Sequence, residues 1–262
     1  MTFIHKWKAF FSNRKNSGKV IYWSLVGLIG GVFVLSGIKI IDHFYQAEKS
    51  AHQFEELVQL PQEVAPEEED SAAKRYAPLV EKNSDFFGWL KIEGTNIDYP
   101  VVCSPGDPEY YLRRDFNKDY SYYGVPFTEE EAKPDSMNIT VYGHNMNNGT
   151  MFSALENYRS YQFYEKHSRI RFDTLEELGE YRIVAVFCTQ AGYPDEFEYF
   201  KFIDGTKEEF DAYVAKCKSL SLYEIKITPE YGDQLLTLST CEYTKENGRL
   251  VVVAQKIKEN IK

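Results

Sequence analysis

Little in this 262-residue chain points to a bound metal or nucleotide. It holds no HExxH, no CxxC, no EF-hand loop, and no pair of His and Cys or of carboxylates at metal-ligand spacing, which disfavours metal catalysis. Neither GxxxxGK[ST] nor GxGxxG occurs, so nucleotide chemistry is disfavoured too. Cysteine is scarce: Cys103, Cys188, Cys217 and Cys241 stand at spacings unlike those of small disulfide-stapled scaffolds, and the pattern predicts reduced thiols. Net positive charge is also missing from the body of the chain. Residues 1–19 carry five Lys or Arg and no acid, which leaves 25 basic against 40 acidic residues beyond them. A body of that sign lacks the field that draws phosphate, so nucleic acid is excluded as a partner.

Aromatic residues, by contrast, are plentiful, with 20 Tyr and 18 Phe, and long apolar runs are confined to one place. Residues 20–38, VIYWSLVGLIGGVFVLSGI, contain no charge and are long enough to span a bilayer. A small-x-small cleavage site is not evident after Leu35, so the segment is expected to be an uncleaved anchor instead of a signal peptide. The basic cluster before it predicts a cytoplasmic N-terminus, with the remainder outside the cell membrane and lipid as a partner of the anchor. Residues 39–84 then form a juxtamembrane region. An apolar stripe at Ala47, Ala51, Phe54, Leu57 and Val58 predicts a helix ended by Pro61, EVAPEEED at 63–70 reads as an acidic linker, and a short helix is expected over 72–82 around Pro78.

From residue 85 onward the texture changes to short apolar segments broken by Gly, Asn, Asp and Pro. GWLKI, NIDYPVV and NITVYG read as strands, as do 170–172 and 181–189, and such spacing suggests a β-barrel or sandwich. Residues 149–158 are expected to form a short helix. The clearest helix covers 206–220, where Thr206 and Glu209 make a capping box ahead of a stripe of Phe210, Tyr213, Val214, Cys217 and Leu220. Cys217 is therefore a core residue.

The richest stretch is LLTLSTCEYTKENGRLVVVAQ, residues 235–255. Two runs of Leu, Val and Thr flank Asn247-Gly248, a pair that tolerates the positive φ of turns, so a hairpin is predicted. Alternation puts Leu235, Thr237, Ser239 and Cys241 on one strand face and Arg249, Val251 and Val253 on one face of the partner. Thiol and guanidinium would then point the same way. A Cys nucleophile needs thiolate character, scarce at an ordinary pKa of about 8.5, and a nearby imidazole can supply it. A fixed guanidinium can stabilise the oxyanion of acyl transfer. Of the five histidines, His144 has the informative setting, at a strand-to-loop junction in TVYGHNMNNGTMF. For Arg249 the ordinary alternative is an ion pair with Glu242 or Glu246.

Together, TLSTC with Arg249 eight residues on, YGHN upstream, and the N-terminal apolar span resemble the sortases, membrane-anchored cysteine transpeptidases of Gram-positive bacteria. The stretches NSDFFGWLKIEGTNIDYPVV, DPEYYLRRDF and YGHNMNNGTMF, with the helix inserted before the hairpin, resemble class B. The pilus-type class C usually has a second, C-terminal span and an Asp-Pro-aromatic lid; here Asp107-Pro108 is followed by Glu109 and the chain ends QKIKENIK. The resemblance implies a mainly β catalytic domain over 85–262, a closed barrel with N-terminal helices and the inserted helix. It implies Cys241 as nucleophile, His144 as general acid/base and Arg249 as the oxyanion and substrate-positioning residue, with no cofactor. Ser239 is a candidate substrate contact on the face of Cys241, with Tyr142, Asn145 and Thr240 around it. The implied partners are a surface protein bearing a C-terminal sorting motif and an amine of peptidoglycan or its precursor. A thiol hydrolase, resolving the acyl-enzyme with water, would use the same three residues, and a tethered binding module would use none of them.

Overall fold

The computed structural model describes residues 14–62, 71–193 and 195–258. The expectations for the basic residues ahead of Arg14 and for the acidic run at 63–70 lie outside the described residues. The chain falls into two units, Met1–Lys49 and Ser50–Lys262. In the first, the described residues belong to helix α1 (Arg14–Gln59), whose large apolar side chains from Ile21 to Ile41 are exposed. This helix is long and apolar enough to cross a membrane by length and composition. The apolar span and the stripe that follows it both lie in this helix. No Gly or Pro lies between residues 38 and 60 to break the backbone ladder. A 3₁₀ turn, Leu60–Gln62, containing Pro61 ends it.

In the second unit, the end of α1 buries Phe54 and Leu57, and Phe54 packs edge-on against Tyr99. Helix α2 (Ala72–Lys82) starts at the Ser71 cap and continues through Pro78, despite the hydrogen bond that Pro removes. Tertiary anchoring offsets that loss: Ala72, Tyr76 and Leu79 are buried, and the Tyr76 hydroxyl donates to Asp173 Oδ2 at 2.6 Å.

Eight strands close a barrel: β1 (Phe86–Lys91), β2 (Asp98–Val102), β3 (Phe127–Thr128), β4 (Asn138–Tyr142), β5 (Arg169–Thr174), β6 (Glu180–Gln190), β7 (Leu235–Glu242) and β8 (Gly248–Lys256). Their order around the barrel is β1-β2-β3-β4-β7-β8-β6-β5. The pairs β2–β3 and β4–β7 are parallel and the others antiparallel. The sequence pattern had not suggested β3, which is only two residues long.

Two features outside the strands position the site. The predicted helix at 149–158 is instead a 3₁₀ segment, Phe152–Arg159, followed by α3 (Tyr161–Lys166). Met151, at φ 56°, cannot continue a right-handed helix, so the segment starts after it. Helix α4 (Lys207–Leu220) has the expected Thr206–Glu209 capping box and packs on the outer face of the barrel. Phe210, Tyr213, Val214 and Cys217 from α4 form one buried cluster with Leu235 of β7, Val251 and Val253 of β8, and Ala185 and Phe187 of β6. By alternation, Leu236, Leu238, Thr240 and Glu242 of β7 face the other way, into the barrel. They too are buried.

Candidate active site

The β7–β8 register is even. Cys241 lies directly opposite Arg249, Ser239 opposite Val251 and Thr237 opposite Val253, so thiol and guanidinium share the outer face. The turn differs from a tight two-residue hairpin. The last pair is Glu242 with Gly248, leaving a five-residue loop in which Asn247 adopts φ 51° and Gly248 N–H donates to Lys245 O at 3.2 Å. Gly248 is needed for closeness: a Cβ there would meet Glu242 Oε1 at 2.4 Å and the Glu242 carbonyl oxygen at 2.7 Å.

His144 reaches the same place from β4. The parallel β4–β7 register ends with Tyr142 opposite Ser239, and His144 follows two residues beyond it, in the segment that runs on alongside the end of β7. The segment after β4 is stitched to β7 at several points. Gly143 N–H donates to Ser239 O at 3.1 Å, the Thr240 hydroxyl donates to Gly143 O at 2.7 Å, and Asn145 Nδ2 donates to Cys241 O at 2.8 Å. Gly143 leaves room for the Phe152 ring, which an added Cβ would meet at 2.5 Å.

The imidazole is held by a backbone group. Its Nε2 lies 2.8 Å from the carbonyl oxygen of Leu112, in a 3₁₀ turn, Tyr110–Arg113. A carbonyl only accepts, so Nε2 carries the proton and Nδ1 is left for chemistry. Burial and the Arg113 charge lower the His144 pKa from its ordinary value, against the opposing effect of the Leu112 bond. The neutral ring is therefore favoured.

Around these three, Arg249 Nη1 donates to its neighbour's carbonyl, Gly248 O, at 2.9 Å. Neither Glu242 nor Glu246 forms an ion pair with it among the described residues: Glu242 pairs with Arg159 at 3.0 Å, and Glu246 accepts from the Tyr193 hydroxyl at 3.4 Å. The buried Ser239 hydroxyl meets the Tyr199 hydroxyl at 2.6 Å. Tyr142 donates from its hydroxyl to Glu129, whose carboxyl is pushed up by burial. Thr240 is buried on the inward face, with its hydroxyl used on Gly143, while Tyr243 in the hairpin loop is exposed and donates to Asn145 O at 2.9 Å. The other thiols are less available: burial pushes Cys103 up to about 11 and Cys217 up to about 12, and raises Cys188. Among the described residues, no group of three or more His, Cys, Asp or Glu is placed to hold a metal ion.

Leu112 and Tyr199 escaped the sequence reading as individual contributors. The first acts through a backbone carbonyl, which leaves no side-chain signature, and the second is one of 20 tyrosines with no motif around it to single it out.

Comparison with known proteins identifies the family and the fold. The sortase domain family matches residues 90–257. Sortase B of Staphylococcus aureus (strain NCTC 8325 / PS 47) is 29% identical over 238 residues, covering 87% of this chain and 93% of that protein. A mutant form of Clostridium perfringens sortase B, solved by X-ray, is 32% identical with a TM-score of 0.72, over 79% of this chain and 98% of that one. A Staphylococcus aureus sortase B–substrate complex superposes with a TM-score of 0.75 at 26% identity, over 82% of this chain and 100% of that chain. With the family matched along most of the chain and class B sortases among its relatives, this chain belongs to the sortase family, in its class B, and is a cysteine transpeptidase.

Proposed function

We propose that Cys241 is the nucleophile, His144 the proton carrier and Arg249 the oxyanion-stabilising group of a transfer from the C-terminal sorting motif of a surface protein to a peptidoglycan amine. The observation that carries this reading is the shared outer face of Cys241 and Arg249, with His144 Nε2 occupied by the Leu112 carbonyl. A neutral ring with Nδ1 available can accept a proton at neutral pH.

In the first half-reaction Nδ1 takes the proton of Cys241 as Sγ bonds to the carbonyl carbon of the scissile threonine. The oxyanion that forms faces the Arg249 guanidinium. Collapse breaks the C–N bond, Nδ1 returns its proton to the departing amine, and a thioacyl-enzyme remains. In the second, the acceptor amine attacks that carbon, gives its proton to Nδ1, and forms an amide as the C–S bond breaks; the thiolate then regains the proton. Tyr142, half-buried on the same face, is assigned to substrate contact; Ser239, expected as a substrate contact, is buried with its hydroxyl bonded to Tyr199 and supports that face from beneath. Asn145 and Thr240, bonded to Cys241 O and Gly143 O, are assigned to fixing the strand beneath the substrate.

The N-terminal segments fit a single-pass anchor, with residues 1–19 cytoplasmic, 20–38 in the membrane, 39–84 juxtamembrane and the catalytic domain from 85 outside. Confinement to the surface where substrate is tethered raises the effective concentration. The test is to incubate the full-length protein in detergent with a panel of sorting-motif peptides, with and without an amine acceptor. A thioacyl adduct on Cys241, absent in Cys241→Ala, and an amide product that requires the acceptor are expected. An adduct on Cys188 or Cys103, or hydrolysis alone at every acceptor concentration, would overturn the assignment.

A further inference from the structure

Beneath the hairpin end, away from the face that carries the thiol, lies a charged group that the reaction above does not use. Glu242 follows Cys241 directly, and its side chain is 1% exposed. Its Oε2 accepts from Thr244 N at 3.0 Å, from the Thr244 hydroxyl at 2.6 Å and from Arg159 Nη2 at 3.0 Å, while Oε1 is buried without a hydrogen-bond partner. Arg159 is the cation paired with this carboxylate. Its Nε also donates to Glu156 Oε2 at 2.6 Å, and Glu156 Oε1 in turn accepts from Asn145 Nδ2 at 3.2 Å. Asn145 Nδ2 is shared with Cys241 O.

The chain of contacts thus starts at Arg159 and reaches Cys241 by two routes. One runs through Glu242, the next residue along β7; the other runs through Glu156 and Asn145, the residue after His144. A third connection closes the loop, because Phe152, at the start of the 3₁₀ segment that bears Glu156 and Arg159, donates from its N–H to His144 O at 2.8 Å. We infer that Arg159 is a positioning residue for the transpeptidation, holding the His144 loop and the Cys241 strand end at one spacing through Glu156 and Glu242. The inference rests on the assignment of Cys241 and His144 to the reaction.

The residue type fits the task. A guanidinium presents several N–H groups in one rigid plane and can hold two carboxylates at fixed angles, whereas an ammonium on a flexible stem cannot. As a plain surface ion pair the contact would do little, since Arg159 is 37% exposed and such pairs contribute weakly. Its partner differs in kind. Without Arg159, Glu242 would keep a buried carboxylate satisfied by Thr244 alone, and its shift would pass directly into the Cys241 backbone.

The experiment uses the full-length protein in detergent, measuring kcat and KM for peptide cleavage, the rate of Cys241 alkylation, and the melting temperature. Arg159→Met is expected to lower kcat by about ten- to a hundredfold, as a misplacement near 1 Å does, with KM within about twofold. Arg159→Lys should recover part of that loss. Glu156→Gln should lower kcat less, and should add no further loss in the Arg159→Met background, because residues acting as a unit are not multiplicative. A folded Arg159→Met with kcat within about twofold of the parent, a loss confined to KM, or losses that multiply with Glu156→Gln would overturn the inference. Should Arg159→Met fail to fold, Arg159→Lys and Glu156→Gln decide it: unchanged kcat in both refutes it. The thioacyl adduct on Cys241 in the parent is a separate readout, so its absence would refute the underlying assignment and not this one.

Discussion

Replacing Gly248 by Ala tests whether the register of the β7–β8 hairpin is as tight as its contacts imply. The new Cβ would lie 2.4 Å from Glu242 Oε1 and 2.7 Å from the Glu242 carbonyl oxygen, both far inside normal contact. The side-chain oxygen could rotate only by disturbing the Arg159 and Thr244 bonds, and the carbonyl could move only with the backbone. Overpacking of this kind costs about 1–3 kcal/mol. For a domain of this size that is a fall in melting temperature of roughly 2–12 °C. The functional effect should be larger than the thermal one suggests, because the displaced atoms belong to the residue after Cys241 and the residue before Arg249. A shift near 1 Å there would lower kcat by up to about a hundredfold. Differential scanning fluorimetry and peptide cleavage on the same preparation give both numbers. A variant that melts within about 1 °C of the parent and keeps its kcat would refute the claim that close approach at Gly248 sets the Cys241–Arg249 register.

Three further outcomes are expected. A thiol reagent at limiting amount and mildly alkaline pH should label Cys241 ahead of Cys103 and Cys217, whose thiols are pushed up to about 11 and about 12; peptide mapping by mass spectrometry reads the order, and Cys103 labelled first would contradict the site. The rate of acylation should fall as pH drops through a His144 pKa that lies below 6.5, since a protonated ring cannot accept from the thiol; the same lowered value gives stability that is complete above 6.5 and lost as pH falls through the folded value, so His144→Gln should flatten both profiles. Tyr213→Phe removes a buried hydroxyl that meets Thr237 Oγ1 at 3.1 Å and should cost about 1 kcal/mol in urea unfolding while leaving kcat nearly unchanged.

What could be read from sequence followed what side chains announce. Helix α4 was legible because Thr206 and Glu209 cap it and its apolar residues keep a helical period. The hairpin was legible because Leu, Val and Thr alternate around a turn pair. The juxtaposition of Cys241 with Arg249 then followed from counting residues, and His144 joined them through its YGHN setting. Other parts left no such mark. The Leu112 carbonyl acts as a backbone group, which any residue at that position would provide. The Arg159–Glu242 pair joins residues 83 positions apart, and nothing in either neighbourhood names the other. The 3₁₀ form of Phe152–Arg159 depends on the positive φ of Met151, a conformation that composition does not suggest for methionine.

Closure of the barrel has a bearing on how a peptide can be held. An open sheet offers its edge as a template, and many peptide-binding domains take an extended ligand as one more strand, with affinity supplied by main-chain hydrogen bonds that are indifferent to sequence. Here β7 is already paired on both sides, with β4 and β8, and so is β4, with β3 and β7. Past Ser239, where the β4 pairing ends, Cys241 is paired with β8 and its carbonyl oxygen is taken by Asn145 Nδ2. On the proposed function, a sorting peptide lies across the outer face and is gripped by side chains such as Tyr142 and Arg249, together with the surrounding loops. On that reading discrimination between motifs resides in those side chains, and exchanging them should change which peptide is accepted without rebuilding the sheet.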